Sequence, residues 1–136
     1  MVPPPLRRWF IVHFWADMLF AVPLFFAPEL TLGLLGWPCV DPLATRLVAA
    51  ALFGIGIESL LGRDASLDAF RQMLTLKVIW SGTATLGILW SQLAAPRAPL
   101  AGWGFLAIFA GFHVLWHTWR RRVVALVGPV GAGRPG

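Results

Sequence analysis

Apolar residues in this chain run in four long blocks, each closed by proline, glycine or arginine, where a water-soluble helix or strand would show a stripe or an alternation. The blocks cover 9–27, 43–61, 73–93 and 101–119. At about 1.5 Å per residue, a block of about 20 residues reaches across a hydrocarbon layer of roughly 30 Å. The pattern predicts four membrane-spanning helices.

The segments between the blocks carry start and stop signals. Pro3, Pro4 and Pro5 lack amide hydrogens and precede Arg7 and Arg8, which predicts a flexible basic lead over 1–8. Leu30 to Leu35, closed by Gly36 and Trp37-Pro38, is too short to cross and reads as an interfacial helix or turn. Asp41 before Pro42 is an N-cap followed by a proline at the first helical position, and Asp64 or Ser66 is placed to cap the third span. Pro96 and Pro99 mark a tight turn, and Arg120, Arg121 and Arg122 end the fourth span. The expected organisation is a four-helix transmembrane domain over 9–122 and a disordered tail over 123–136. The fold class is all-α, an integral membrane four-helix bundle.

Composition strengthens this reading. Hydrophobic residues make up 58% of the 136 positions and charged residues 12%, about half the charged share of an ordinary soluble domain. A net charge of +5 in a soluble chain would raise nucleic-acid binding. Here the arginines sit at the ends of apolar blocks, not among exposed aromatics, so nucleic acid is not expected as a partner.

The same arginines set an orientation. With the N-terminus inside, Arg7, Arg8, Arg63, Arg71, Arg120, Arg121, Arg122 and Arg134 are cytoplasmic, and Arg46 and Arg97 are outside. Cytoplasmic loops keep the excess of positive charge, so both termini are expected in the cytoplasm. Trp9 and Trp119 then fall at the inner boundary, and Trp37, Trp90 and Trp103 at the outer one. Basic residues before the first block also occur in a secretory signal peptide, but that block holds Asp17 and lacks a small-x-small cleavage site, so it is expected to be retained. The excess of arginine over lysine, with abundant Ala, Gly, Pro and Trp, fits codons rich in G and C and hence a bacterial inner membrane.

Candidate chemistry is confined to a few side chains. Cys39 is the sole cysteine, read as a small buried hydrophobe. Ionisable groups at membrane depth cost roughly 2.5 to 3.5 kcal/mol each to insert, so each one needs a partner or a role. They are His13 and Asp17 on the first span, Glu58 on the second, Lys77 on the third, and His113 and His117 on the fourth. Counting along alternating helices places all six within about 15 Å of the cytoplasmic surface. His13 with Asp17, His113 with His117, and Lys77 with Ser81 stand four apart, on common faces.

Asp17, Glu58, Lys77 and Ser81 are therefore expected to form an intramembrane polar cluster. Glu58 shares a face with Ala51 and Gly54, and Lys77 is its expected partner. His13, His113 and His117 are the candidate cofactor ligands, for a b-type haem held between facing helices. Gly104, Ala107 and Gly111 form a small-residue face opposite the fourth-span histidines, and both faces cannot point inward. No metal site is expected, since His113-Val-Leu-Trp-His117 lacks the glutamate of a zinc-protease motif. Nucleophile-elbow, phosphate-loop and dinucleotide fingerprints are missing too, so no catalytic residue is assigned and an enzyme is not the leading expectation.

Asp41-Pro-Leu-Ala-Thr-Arg46 leading into Ala49-Ala-Ala-Leu-Phe-Gly54-Ile-Gly56, set among four short spans, resembles the small bacterial four-helix proteins loosely called DoxX-like. That resemblance covers most of the chain in size, topology and texture, and implies a place beside quinone-linked oxidoreductases. The expected function is a non-enzymatic accessory or scaffold subunit whose arginine-rich edge meets anionic lipid, with another membrane subunit or a second copy as partner. The alternatives are a haem- or quinone-binding electron-transfer component, and a small proton-coupled transporter using Asp17, Glu58 and the histidines as relay groups.

Overall fold

The computed structural model describes residues 1–127. Among them every regular element is helical: α1 (Pro4–Phe26), α2 (Pro28–Leu34), α3 (Pro42–Leu61), a 3-10 turn (Gly62–Asp64), α4 (Leu67–Ala94) and α5 (Leu100–Val127). Four of these, α1, α3 with its trailing turn, α4 and α5, are long and apolar enough to cross a membrane. Only 11% to 28% of the most apolar window of each is buried by the protein itself. Side chains such as Trp15, Leu19, Phe26, Leu47, Ile79, Leu86 and Val114 face outward. So much uncovered apolar surface requires lipid around it, and the chain is a multi-pass helical membrane protein.

The helix ends depart from the expected ones for local reasons. Helix α1 starts at Pro4, not at Trp9, because a first helical turn has no amide partners to lose and proline is pre-set for its backbone angles. Val2 and Leu6 are buried with Phe10, Phe70, Leu74, Trp116, Trp119 and Val123, so the residues expected as a flexible lead are part of a core. Ser66 Oγ accepts from the Ala69 amide at 3.3 Å and starts α4 at Leu67, ahead of the expected Met73. Helix α5 continues through Arg120–Arg122 to Val127, since arginine is a good helix former and Val123 lies fully buried beneath. The expected disordered tail therefore does not begin at 123, and its remainder, 128–136, lies outside the described residues.

Two caps follow the sequence closely. Asp41 Oδ1 accepts from the amides of Leu43 and Ala44 at 2.9 and 3.1 Å and opens α3. At the end of α2, Gly36 takes a φ of +98°, the Trp37 amide donates to the Leu32 carbonyl at 3.0 Å, and the Gly36 amide donates to Gly33 at 3.1 Å. This paired closure needs the left-handed backbone that glycine adopts without a Cβ clash. It turns Trp37 back over the bundle, where its ring stands 6.0 Å from Phe105. Cys39, expected to be buried, is exposed in the loop beyond, which reaches Asp41 without covering it.

The four long helices form two pairs. Helix α1 packs along α3, and α4 along α5, with few backbone approaches between the pairs. The pairs meet at the arginine-rich end through an aromatic core in which Phe10 lies 4.6 Å from Phe70 and 5.8 Å from Trp116. Arg7 clasps the same end, 2.7 Å from Asp64 Oδ1 and 3.0 Å from the Arg63 carbonyl. Trp119, expected at a headgroup boundary, is buried in this core, with Arg122 5.1 Å from its ring. Towards the opposite end a second buried cluster, Ala21, Leu24, Ala49 and Leu52, ties α1 to α3, with Leu32 of α2 and Trp80 of α4 packed against it. The pairs are thus pinned at one end and, further along, stand apart at the backbone and touch through large side chains such as Trp80 on the second cluster and Phe20 on Phe105, 5.5 Å between ring centroids.

Candidate functional site: a polar-ended chamber between the helix pairs

Where the pairs separate, the wall gathers the ionisable residues. Helices α1 and α3 come together at Gly56, where a Cβ would stand 2.8 Å from Asp17 Cβ and 2.9 Å from Met18 Cε. Gly54, the glycine expected to share Glu58's packing face, has open space at its Cβ position. The buried face of α3 instead runs through Thr45, Ala49, Leu52, Ile55, Gly56 and Ser59. Glu58 sits beside that face, with its side chain one-third exposed.

Lys77 reaches into this junction from α4 and is 1% exposed. Its Nζ donates to Glu58 Oε2 at 3.3 Å and to Ser59 Oγ at 2.6 Å, joining the second and third spans. The Phe10 and Trp116 rings flank the ammonium, with centroids 4.9 and 5.8 Å away. Aromatic faces attract a desolvated cation, which helps hold this charge away from water. His13 Nδ1 stands 3.3 Å from Ser59 Oγ and 3.2 Å from Asp17 Oδ2. Its ring is wedged edge-on against Phe112 and Trp116, both at 5.0 Å. Asp17, His13, Ser59, Lys77 and Glu58 therefore form one contiguous polar chain across α1, α3 and α4.

Ser81, also expected in the cluster, donates to the Lys77 carbonyl at 2.7 Å and lies 3.2 Å from His113 Nδ1. His113 turns towards α4, its ring filling the space a Cβ would occupy at Gly82, 2.9 Å from that position. The histidine face of α5 is thus the packed one as far as His113. At Gly104 and Gly111 a Cβ would meet nothing within 4 Å, so that glycine face is open. His117 is exposed.

A chamber of about 660 Å³ extends from this polar end between the pairs. Its inner wall includes His13, Asp17, Lys77, Ser81, Phe112 and Trp116, and its far end includes Trp37, Thr45, Gln92 and Gly102. Along α4 it runs from Lys77 to Gln92, a rise of about 22 Å at helical pitch. The middle is apolar, with Phe20, Leu24, Leu52, Trp80, Phe105 and Phe109 among the lining residues. At the far end Gln92 Nε2 donates to the Pro99 carbonyl at 3.0 Å, and its amide packs directly on Gly102, where a Cβ would require the glutamine side chain to move.

Of the three candidate cofactor ligands only His13 lines the chamber. A bis-histidine haem needs two imidazoles facing one another across a shared space. His113 is committed to α4 and His117 faces outward, so the histidines do not fit that role. Among the described residues no group of three His, Cys, Asp or Glu side chains could hold a metal ion. Ser59, at the centre of the polar chain and fully buried, was not singled out from the sequence. Its signal was the spacing Ala49, Leu52, Gly56, Ser59, a helical stripe of small and apolar residues ending in a hydroxyl.

Comparison with known protein families, with curated proteins and with solved structures returns no match. The chamber and its polar end are therefore the basis for assigning a role.

Proposed function

We propose that this is a non-enzymatic binding subunit of a bacterial inner membrane, one that holds an elongated apolar molecule with a polar head in the chamber between its helix pairs. The observation that carries this reading is a long apolar cavity ending at a cluster of engaged, buried charges. Pockets that take small molecules are mostly apolar, with a few convergent polar groups that fix orientation. The head would seat beside His13, Asp17 and Lys77, and the body would lie along Phe20, Trp80 and Phe105. An accessory place beside a redox partner, as the DoxX-like resemblance implies, accords with a subunit that presents such a molecule without transforming it. In this reading both termini are cytoplasmic, and the arginines of that edge contact anionic lipid.

The test is extraction of what the protein carries. Protein purified in maltoside, extracted into organic solvent and analysed by mass spectrometry should yield a single apolar species at a fixed ratio to protein. Gly87 lines the chamber and has open space at its Cβ, so Gly87→Phe fills the cavity without a clash at the backbone. That variant should purify normally and lose the extracted species. Lipid carried equally by both proteins, with no species particular to the wild type, would overturn the proposal.

A further inference from the structure

Resting on that reading of the chamber, the direction of each hydrogen bond at its inner end identifies the head it takes. Ser59 has one hydroxyl proton and donates it to the Ile55 carbonyl at 2.7 Å, so its oxygen accepts from both Lys77 Nζ and His13 Nδ1. The His13 proton therefore sits on Nδ1, and Nε2 of the neutral ring is an acceptor. Ser81 likewise donates to the Lys77 carbonyl at 2.7 Å. The hydroxyl protons of this end are engaged within the protein, and the Lys77 ammonium gives two of its three protons to Glu58 and Ser59, with aromatic rings on its remaining side.

Opposite stands an unanswered acceptor. Asp17 is 7% exposed and lines the chamber; its Oδ2 is enclosed against Gly56 without a hydrogen-bond partner, which leaves Oδ1 as the carboxylate oxygen on the chamber side. His13 Nδ1 is 3.2 Å from Oδ2 but aims its proton at Ser59. A buried carboxylate oxygen without a donor is costly, and a charged donor is what relieves it. We propose that the chamber selects a cationic hydrogen-bond donor, a primary ammonium on an unbranched apolar chain, with the nitrogen on the chamber side of the Asp17 carboxylate and the chain among the aromatic residues. An acceptor-only head such as a ketone or quinone leaves Asp17 unanswered.

The test is a competition. The full chain is released from maltoside micelles in native mass spectrometry after equilibration with equimolar decylamine, decan-1-ol and 2-decanone. The amine adduct should exceed the ketone adduct by about tenfold or more, the range of one hydrogen bond to a charged group, with the alcohol between them. Asp17→Asn should abolish the amine's advantage while leaving the ketone adduct unchanged, and Gly87→Phe should reduce all three. Ketone binding equal to amine overturns the assignment of the head and leaves the chamber reading standing. Failure of all three to bind the wild type overturns both. Amine bound equally by Gly87→Phe places it outside the chamber and overturns the assignment. Should Asp17→Asn fail to accumulate, the wild-type amine-to-ketone ratio decides.

Discussion

At the scale of single residues, the two glycines of α3 make the clearest contrast. Gly56 has Asp17 Cβ, an atom fixed to the α1 backbone, within 2.8 Å of where its own Cβ would be, and Gly54 faces open space. Gly56→Ala should therefore destabilise by about 1–3 kcal/mol, because the helices must part to admit the methyl group. Gly54→Ala should be neutral, or stabilising by up to about 1 kcal/mol through helix propensity. Unfolding titrations in mixed maltoside and dodecyl sulfate micelles would show this, and equal responses would refute the described α1–α3 contact. The Lys77–Glu58 pair carries a second prediction. Glu58→Gln or Lys77→Met alone should each cost about 3 kcal/mol, since the surviving charge loses its partner, and the double variant should lose less than their sum. Strict additivity in the same titration would argue that the charges act independently. The partnership of these two side chains was legible from matching depth and from the high cost of charge in lipid. Both glycines read as packing residues, but which of them meets α1 was not legible, because Gly54 and Gly56 differ in sequence only by a 200° rotation about the helix, and the face that meets α1 is chosen by long-range packing.

At the scale of elements, hydropathy located every span, and the cap residues Asp41 and Ser66 stand where helices begin. Hydropathy could not find the true ends of α1, α4 and α5, which run past the apolar blocks into proline, acidic and arginine segments. Those ends are held by tertiary burial of Leu6, Phe70 and Val123, which block length does not report. The chamber was hidden for a related reason: a cavity is set by how far two pairs of helices spread, and each helix reads as apolar whether or not a neighbour touches it. The α2 closure is the element that shapes the chamber's far end. Gly36→Ala puts a Cβ into a backbone with φ near +98°, at a cost of roughly 1 kcal/mol, and should loosen the turn that seats Trp37 over Phe105. The expected outcome is a shifted tryptophan emission and faster loss of a chamber-bound molecule, with the spans intact by circular dichroism. An unchanged emission and dissociation rate would show that Trp37 does not close this end.

At the scale of the whole molecule, charge and shape agree on which end is which. The end where the pairs are pinned holds Arg7, Arg8, Arg63, Arg71, Arg120, Arg121 and Arg122, and the Arg7–Asp64 contact and the 2.9 Å bond from Arg120 Nε to Thr75 Oγ1 fix part of that set in place. The opposite end holds Arg46 and Arg97, and Arg46 Nε is occupied with the Phe25 carbonyl at 3.1 Å, at the end of α1. Moving so lopsided a set of arginines across a bilayer is opposed by the bias that retains positive loops in the cytoplasm. A fluorescent-protein reporter fused after Gly136 should therefore fluoresce in bacterial cells, and alkaline phosphatase inserted in the turn at Ala98 should be active from the periplasm. The reverse pair of signals would turn the molecule over. The same experiment bears on how a ligand arrives: with the pinned, charged end inside, the polar head of the chamber lies in the cytoplasmic leaflet and its Trp37–Gln92 end lies towards the periplasmic one. An occupant would then insert head-down from the outer half of the membrane, through the gap where α1 with α3 and α4 with α5 stand apart.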